Sequence, residues 1–256
     1  MQYAEQTSYT VAAEIERTRC AILPVGAVEA HGPHLPLDTD NVLAERLAGR
    51  LAELTDSLVL PTLPYGQVWS LKNFPGSVGV SNQALIQMLY DIGESLHHQG
   101  FGIYVMLNGH LGNAACMKDA ARMLYRDYPA LKVYYFFYPG SKEAIAEVRE
   151  TPSAHGTYFH ACELETSYML YLAEEHVDMS KAISDIPNIT VEDDCTPTPW
   201  EQFTSTAVLG DATLATREKG ERIIEASLRT MTEILLRAKS VLAEGSKGKE
   251  DSPHDS

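Results

Sequence analysis

The stretch CAILPVGAVEAHGPHLPLDTD, residues 20–40, decides the fold class of this chain. It opens with CAILPVGAV (20–28), a continuous apolar run rich in Val, Ile and Leu. Such a run is typical of a strand that is buried on both faces of a parallel sheet. A loop rich in His, Pro and Asp follows, and VLAERLAGRLAEL (42–54) then carries its apolar residues at helical spacing. The stretch therefore predicts a strand, a polar loop and a helix, which together are the first half of a βαβ unit.

The same alternation continues along most of the chain. Buried strands are predicted at 57–66, 101–108 and 131–138, with helices between them at 82–99 and 113–127. This order predicts an α/β fold with a mostly parallel sheet and helices on both of its faces. The other predicted elements are helices at about 7–17, at 163–175 and over about 25 residues from Thr216, and irregular stretches at 67–80, 139–160 and 184–213.

Composition and charge restrict the class of protein. The 256 residues are 45% hydrophobic and 21% charged, which is ordinary for a globular domain. Lys and Arg number 20 against 35 Asp and Glu, and the resulting formal charge of −15 disfavours nucleic-acid and membrane-surface partners. No linker divides residues 1–245, so we expect them to form one domain, and we expect the polar tail 246–256 to be disordered.

Cysteine usage and the N-terminal residues lead to an expected location. The four cysteines lie far apart without CxxC spacing, so neither a disulfide framework nor a zinc finger is expected. The N-terminal residues lack the basic and apolar regions of a signal peptide. No window approaches the roughly 18 apolar residues of a spanning helix. We therefore expect a cytoplasmic protein.

Polar residues collect in three loops, two that follow predicted strands and one that opens a helix. Within the first loop, Glu29 and His31 are two residues apart, so both can point to one side of an extended chain. Ligands of parallel α/β sheets lie beyond the carboxyl ends of the strands, so we expect the three loops to share one site. Their polar side chains are Glu29, His31, Asp38 and Asp40 in the first loop, His110 in the second, and His160, Glu163 and Glu165 in the third.

These residue types indicate a metal site. Carboxylates and imidazoles that converge from separate strand ends suit a divalent ion such as Zn²⁺ or Mn²⁺. A carboxylate that bridges two such ions would hold them roughly 3.5–4 Å apart, the spacing of hydrolytic two-metal sites. Closed structural sites rely on paired cysteines, which this chain lacks, so an open, water-holding site is favoured.

Each of these residues also has an alternative, purely structural role. A single His in a loop after a strand is more often a hydrogen-bonding or surface residue than a ligand. Asp38 or Asp40 can cap the next helix, and Glu163 and Glu165 suit the N-terminal end of a helix. Cys162 is more often a small buried residue than a nucleophile. What favours a functional site is the joint occurrence of these residues at three neighbouring loops.

Three polar motifs follow one another in the order PVGAVEAHGPHLPLDTD (24–40), NGHLGN (108–113) and HACELETS (160–167), with the short stretch NFPGS (73–77) between the first and the second. They resemble the motifs of the creatininase (creatinine amidohydrolase) family, and the similarity covers roughly residues 18–180. The resemblance implies a three-layer α/β/α fold, a site for two divalent ions (Zn²⁺ or Mn²⁺, with iron in some members) and a homo-oligomer, often a hexamer. Members of the family hydrolyse amide bonds in cyclic or small polar substrates, open a cyclic polyol ketone, remove formyl groups or trim a peptide.

The resemblance also implies roles for the residues of the first two motifs. Glu29 and His110 would hold one metal ion and His31 would hold the other. Asp40, the last residue of the first motif, would bridge the two ions. Asp38 would lie next to these ligands without binding a metal ion itself.

The third motif would supply the catalytic residues. His160 would face the substrate or carry protons, and Glu165 is the glutamate expected to be required. Creatininase itself has an acidic ligand at the place where this chain has Gly112. A further ligand of the second ion would then be Glu165 or Glu163, or the site would hold a single ion.

The substrate pocket is expected to differ from that of creatininase. Creatininase has a tryptophan shortly before the His of its third motif, which closes over creatinine, whereas this chain reads GTYF at 156–159. Cys162 also replaces the usual glycine of that motif. Creatinine is therefore not the expected substrate. Tyr65 and Trp69 are expected to form part of the pocket wall, with core packing an equal alternative for Trp69.

The function predicted from these residues and from the resemblance is metal-dependent hydrolysis of a C–N bond. A metal-activated water would attack the carbonyl carbon of a small cyclic amide or a related polar substrate. The alternatives are hydrolytic opening of a cyclic sugar-like ketone at a C–C bond, a deformylase or peptidase, and a binding protein that kept the fold and lost activity. Release of an amine or ammonia separates C–N from C–C cleavage.

Overall fold

The computed structural model describes residues 1–152, 155–156 and 158–250, with side chains through residue 244. Its central sheet has four parallel strands in the order β2-β1-β3-β4. Register is set by pairs such as Ile22 with Val105 and Val105 with Tyr134. The strands are β1 (Cys20–Val25), β2 (Leu58–Val59), β3 (Ile103–Asn108) and β4 (Lys132–Phe136).

Helices cover both faces of this sheet. Because side chains alternate along a strand, Cys20 and Ile22 of β1 pack into one core while Ala21, Leu23 and Val25 pack into the other. The first core lies against the helices α2, α6 and α8, and the second against α3 and α4. The predicted three-layer α/β/α arrangement is thereby confirmed. The helices are α1 (Ser8–Thr18), α2 (Thr39–Thr55), α3 (Asn82–His98), α4 (Ala114–Asp127), α5 (Lys142–Val148), α6 (Glu163–Leu172), α7 (Val191–Cys195) and α8 (Arg217–Glu250).

Before the C-terminal helix, three stretches differ from the sequence prediction. The strand predicted at 57–66 pairs regularly only at Leu58–Val59, because Pro61 and Pro64 have no N–H to donate, although Leu63 still bridges to Val25. The stretch 139–160, predicted as a loop, contains the helix α5. The stretch 184–213 contains α7 and a two-stranded antiparallel sheet of β5 (Ser184–Asp185) and β6 (Gly210–Asp211).

The C-terminal helix is longer than predicted. It runs for 34 residues, from Arg217 to Glu250, and so includes the first residues of the tail predicted to be disordered. Residues 251–256 of that tail lie outside the described residues. Among the helices of the described part of the chain, none combines the length and the apolar character that a membrane span requires.

Candidate metal centre

Side chains from all three polar loops meet at the carboxyl end of the sheet. The loops come from the end of β1, from the end of β3 and from the start of α6. Each of the side chains is buried except that of His110, which is 11% exposed. The side chains that meet are those of Glu29, His31, Asp40, His110, His160 and Glu165.

Local backbone geometry brings these loops into contact. Asp40 lies in the first turn of α2, and a Cβ at Gly109 would overlap its carbonyl oxygen. A glycine at 109 is therefore what lets the loop after β3 approach the start of α2 closely. Ala161 has a φ of +45°, and its N–H donates to Oε2 of Glu165 at 2.6 Å, which fixes the glutamate in the first turn of α6.

Asp40 lies between two of the histidines. Its Oδ1 is 3.3 Å from Nε2 of His31, and its Oδ2 is 3.2 Å from Nδ1 of His110. On the other side of His110, Oε1 of Glu29 is 3.1 Å from the same Nδ1. The two oxygens of Asp40 thus face two different imidazoles, which is the arrangement of a bridging carboxylate.

Glu165 and His160 close the other side of the cluster. Oε2 of Glu165 is 3.6 Å from Nε2 of His31 and 3.8 Å from Nδ1 of His160. The same Nδ1 of His160 is 3.6 Å from Oε1 of Glu29. The ring centroids of His31 and His160 are 4.3 Å apart. Three overlapping sets of donor atoms result, each within 4.8 Å: Glu29 with His31 and His160, Glu29 with Asp40 and His110, and His31 with Asp40 and Glu165.

Each imidazole is oriented by a hydrogen bond from the ring nitrogen that faces away from the carboxylates to a backbone carbonyl. Nε2 of His110 donates to the Gln67 oxygen at 2.7 Å, and Nε2 of His160 donates to the Ala30 oxygen at 2.7 Å. Nδ1 of His31 donates to the Glu29 oxygen at 3.1 Å. A carbonyl only accepts, so in each neutral ring the other nitrogen, the one facing the carboxylates, carries the lone pair. Metal-binding histidines are held in this way.

The residues present fit divalent metal ions. Nε2 of His31 and Oδ2 of Asp40 are buried and make no hydrogen bond of good geometry with any described group, although charged neighbours lie close. A buried polar atom without such a bond is costly unless something else pairs with it. Imidazole nitrogens and carboxylate oxygens are the ligands that Zn²⁺ and Mn²⁺ take in proteins. The unpaired atoms therefore lie where such ions would supply the missing interaction.

The electrostatics of the cluster are strongly perturbed. Burial alone would lower the pKa of His31, but Asp40 and Glu165 outweigh it and raise the pKa to about 10. Burial is likewise outweighed at His110, where Glu29 and Asp40 raise the pKa well above its usual value. Burial raises the pKa of Glu165 to about 7, and burial together with His31 lowers the pKa of His160 to about 4. Such opposed shifts in one cavity are typical of functional sites.

Metal binding is therefore expected to release protons. In the metal-free protein at pH 7, the raised pKa values of His31 and His110 keep both rings protonated, and an imidazole must lose that proton to bind a metal. We expect about two protons to be released per chain at pH 7. Isothermal titration calorimetry of Zn²⁺ in buffers of different ionisation enthalpy measures this number. A binding heat that is independent of the buffer would contradict the prediction.

The two glutamates of α6 have different environments. Glu165 belongs to the cluster, whereas Glu163 accepts hydrogen bonds from the N–H groups of Glu150 and Thr151, at 3.0 and 3.1 Å. Glu163 also forms a buried ion pair with Nζ of Lys219 at 2.6 Å. Its oxygens are thus already occupied, and Glu163 ties α8 to the segment that precedes the third motif.

Exchange of each glutamate for glutamine separates these roles. Glu165→Gln is expected to weaken metal binding by more than about 100-fold. Loss of a residue that only hydrogen-bonds to a metal ligand already lowers metal affinity about 10–100-fold. Glu163→Gln is expected to keep the metal and to lose about 1.5–3 kcal/mol of unfolding free energy, the usual value for a hydrogen bond to a charged group. Metal titration and denaturant unfolding of both variants test this. A loss of metal in Glu163→Gln would show that the assignment is reversed.

Two further candidates lie outside the cluster. Asp38 is exposed, and its Oδ1 accepts from Nδ2 of Asn41 at 2.8 Å. Cys162 is buried and belongs to none of the three donor sets. Burial raises the pKa of Cys162 to about 11, so its thiol stays protonated at neutral pH. It therefore has the properties of a small buried residue and not those of a nucleophile.

A cavity of about 170 Å³ opens onto the cluster. Among the described residues its aromatic wall consists of Phe137, Tyr158, Phe159 and Trp200. The expected wall residues Tyr65 and Trp69 do not line it, although the loop 67–71 contributes other residues. The ring of Trp200 lies edge-on to that of His160, with the centroids 5.4 Å apart. Sequence reasoning missed Trp200, for which the only signal was a tryptophan in a stretch rich in Pro and Thr.

Comparison with known proteins places this site in a family. Residues 4–235 match the model of the family described as creatininase, creatinine amidohydrolase. A creatinine amidohydrolase of Pseudomonas putida is 26% identical over 84% of this chain and 87% of its own. A mycofactocin precursor peptide peptidase of Mycolicibacterium smegmatis is 30% identical over 79% and 78%. A 3-dehydro-scyllo-inosose hydrolase of Thermotoga maritima is 27% identical over 81% and 73%.

Solved structures agree with this result. The crystal structure of a creatinine amidohydrolase (creatininase) superposes with a TM-score of 0.84 at 26% identity, covering 93% of this chain and 97% of the other. A variant creatininase of Zn-Zn type matches with the same TM-score, identity and coverage. A creatininase with Mn matches with a TM-score of 0.84 at 25% identity, covering 93% and 98%. With a family model that matches nearly the whole chain, and with this fold, the chain belongs to the creatininase family.

Proposed function

We propose that the protein is a divalent-metal-dependent hydrolase that cleaves the C–N bond of an amide in a small polar substrate, with cyclic amides the first class to test. The observation that carries the proposal is the buried convergence of three imidazoles and three carboxylates. Nε2 of His31 and Oδ2 of Asp40 lack hydrogen bonds with any described group there. Family membership supports the same chemistry.

The ligand assignment follows the distances within the cluster. Glu29 and His110 would hold one ion, His31 and Glu165 the other, and Asp40 would contact both. Glu165 would thus take the place of the acid that is missing at Gly112. We propose Zn²⁺ or Mn²⁺ as the ions, since creatininase structures of Zn-Zn type and with Mn match this chain, with iron a further candidate. When bound, such ions polarise a carbonyl and lower the pKa of a coordinated water to roughly 7.

His160 is proposed to move protons during the reaction. Its Nε2 is fixed by the Ala30 carbonyl, so its Nδ1 carries a lone pair that points to the cluster. The lowered pKa of His160, about 4, keeps the ring neutral at pH 7, so its Nδ1 carries a lone pair. A proton taken from water there would be passed to the leaving nitrogen. Trp200, edge-on to this ring, shields it from bulk water.

Two other reactions remain as alternatives within the same site. The Mycolicibacterium relative is named as a peptide peptidase, and the Thermotoga relative as an inosose hydrolase. A peptidase or deformylase would still break a C–N bond, whereas opening of a cyclic sugar-like ketone would break a C–C bond. The amide proposal is favoured because the first relative, a creatinine amidohydrolase, matches over the largest share of this chain among the three.

The experiment is a product assay on metal-loaded protein. The protein reconstituted with Zn²⁺ or Mn²⁺ is incubated with a panel of cyclic amides, linear amides, formamides and cyclic ketones, and ammonia, amine and carboxylate are quantified. A new carboxylate formed together with an equal amount of a new amine supports the proposal, with the amine held in the same ring-opened product for a cyclic amide and released as amine or ammonia for a linear amide. Turnover of the ketones alone would replace it with C–C hydrolysis. Cys162→Gly is a control that should leave metal content and product unchanged.

The quaternary structure is also proposed from the family, and the location from the sequence. We propose a homo-oligomer, with a hexamer the expected form, in the cytoplasm. Light scattering at several protein concentrations would give six times the mass of the chain. A single-chain mass at all concentrations would contradict this part of the proposal without affecting the site.

A further inference from the structure

A second pocket, of about 430 Å³, adjoins the metal-site cavity. It shares the residues Ser70, Tyr158 and Trp200 with that cavity, so the two spaces have a common wall. Neither the proposed chemistry nor the ligand assignment uses this second space. We call it the outer pocket and define it by Trp69, Tyr158, Asp193, Asp194, Trp200 and Phe203, which line it.

The wall of the outer pocket is aromatic. The ring centroid of Trp200 is 5.8 Å from that of Tyr158 and 6.0 Å from that of Phe203. The same Trp200 ring lies against His160 in the inner cavity. The Trp200 ring therefore borders both the outer pocket and the space at the metal cluster.

The other side of the outer pocket is acidic. Asp193 and Asp194 of α7 line it, and the Asp194 side chain is 40% exposed. Asp193 caps α7 through Thr190, and Asp194 accepts from Nε2 of His155 at 2.7 Å. Each carboxylate has about four lone-pair sites, so these bonds leave capacity for a further donor.

Aromatic faces combined with carboxylates recognise organic cations. One ring of the outer pocket already shows this preference, since Nζ of Lys72 lies 4.8 Å from the ring centroid of Trp69. Lys72 itself lines a neighbouring depression and not the outer pocket. The formal charge of −15 on the chain adds a field that attracts cations and repels anions.

We infer that the outer pocket is a substrate subsite for a guanidinium or alkylammonium group, so that the substrate is an amide with a cationic extension. The amide would occupy the 170 Å³ cavity at the metal cluster, and the cation would lie between the aromatic wall and the two aspartates. Cleavage of such a molecule rests on the proposed function, whereas its binding in the outer pocket does not.

The tryptophans allow binding to be measured directly. The chain has two of them, Trp69 and Trp200, and both line the outer pocket, so quenching of intrinsic fluorescence reports on occupancy. The probes are Nα-acetyl-argininamide and Nα-acetyl-citrullinamide, which have nearly the same shape and differ in side-chain charge. In the metal-loaded wild type at low salt, the arginine probe is expected to bind about tenfold more tightly than the citrulline probe.

Variants of the acidic residues test whether the preference for the arginine probe arises in the outer pocket. The double variant Asp193→Asn/Asp194→Asn is expected to bind both probes with equal affinity. Glu192 is an exposed acid of the same helix that does not line the outer pocket, so the control variant Glu192→Gln is expected to keep the tenfold ratio. Because Asp193 also caps α7, Asp194→Asn alone is the second variant, and it should lower the ratio without changing the melting temperature.

Two binding results would overturn the subsite. One is equal affinity of the two probes in the wild type, and the other is a ratio that survives in Asp193→Asn/Asp194→Asn. The proposed function fails separately: charge-selective binding without cleavage of any amide would leave the subsite standing and remove the amidohydrolase. Cleavage of neutral and cationic amides with equal kcat/KM would remove the subsite and leave the amidohydrolase.

Discussion

Asp40→Ala is expected to abolish both metal binding and turnover. Asp40 presents one oxygen to His31 and the other to His110, so its loss removes a ligand from both proposed ions at once. We expect metal affinity and kcat/KM to fall by more than about 100-fold, since loss of a residue that only hydrogen-bonds to a metal ligand already lowers metal affinity or activity about 10–100-fold. Elemental mass spectrometry and the product assay measure the two quantities.

The matched control is Asp38→Ala. Asp38 lies two residues earlier and is exposed, and it contacts Asn41 and not the cluster. The same chemical change there should leave metal content intact and lower unfolding free energy by at most about 1 kcal/mol. An Asp40→Ala protein that keeps its metal and its activity would show that the cluster is not the reactive centre.

Gly112→Glu is expected to weaken metal binding and not to complete the site. The family resemblance implies that creatininase has an acid at this place in the motif, so Gly112→Glu would restore that acid. In this chain, however, a Cβ at 112 would overlap Nε2 of His110 and lie 2.5 Å from the Gln67 oxygen. These two atoms form the hydrogen bond that orients His110. Displacing them should weaken metal binding about 10–100-fold, the usual effect of losing such an orienting group.

Two comparisons make this prediction specific. Gly112→Ala introduces only the Cβ and should lower metal affinity in the same direction, whereas Gly49→Ala, in α2 with nothing within 4 Å of the new Cβ, should keep the metal. Gly49→Ala is expected to gain about 0.5–1 kcal/mol of unfolding free energy, because it replaces glycine in a helix. Tighter metal binding in Gly112→Glu would show that Glu165 is not the ligand that replaces the missing acid.

Much of the fold follows from sequence periodicity. The apolar runs at β1 and β3 predict buried parallel strands, and these strands have both faces covered as expected. The limits of β2 were not predictable from apolar character alone, because its prolines preserve hydrophobicity but remove hydrogen-bond donors. The helix α5 was missed because it has no residue buried in the core, so its amphipathic signal is weak.

The candidate site was likewise predictable only in part. The loops that contain it were predictable, since strand ends of a parallel sheet meet at one edge. The residues alone did not show which glutamate belongs to the cluster, because the partner of Glu163 is Lys219, which is 56 residues away. Only the family resemblance favoured Glu165. The position of Trp200 depends on an irregular stretch that folds back onto the third motif, and periodicity carries no information about such contacts.

The most direct measurement is the metal content of the purified chain by elemental mass spectrometry, before and after reconstitution with Zn²⁺ or Mn²⁺. We predict about two divalent ions per chain, since two carboxylate–imidazole sets share Asp40. One ion per chain would contradict the bridged site and leave Glu165 free to act only on protons. No bound ion after reconstitution would contradict the metal-dependent hydrolase altogether.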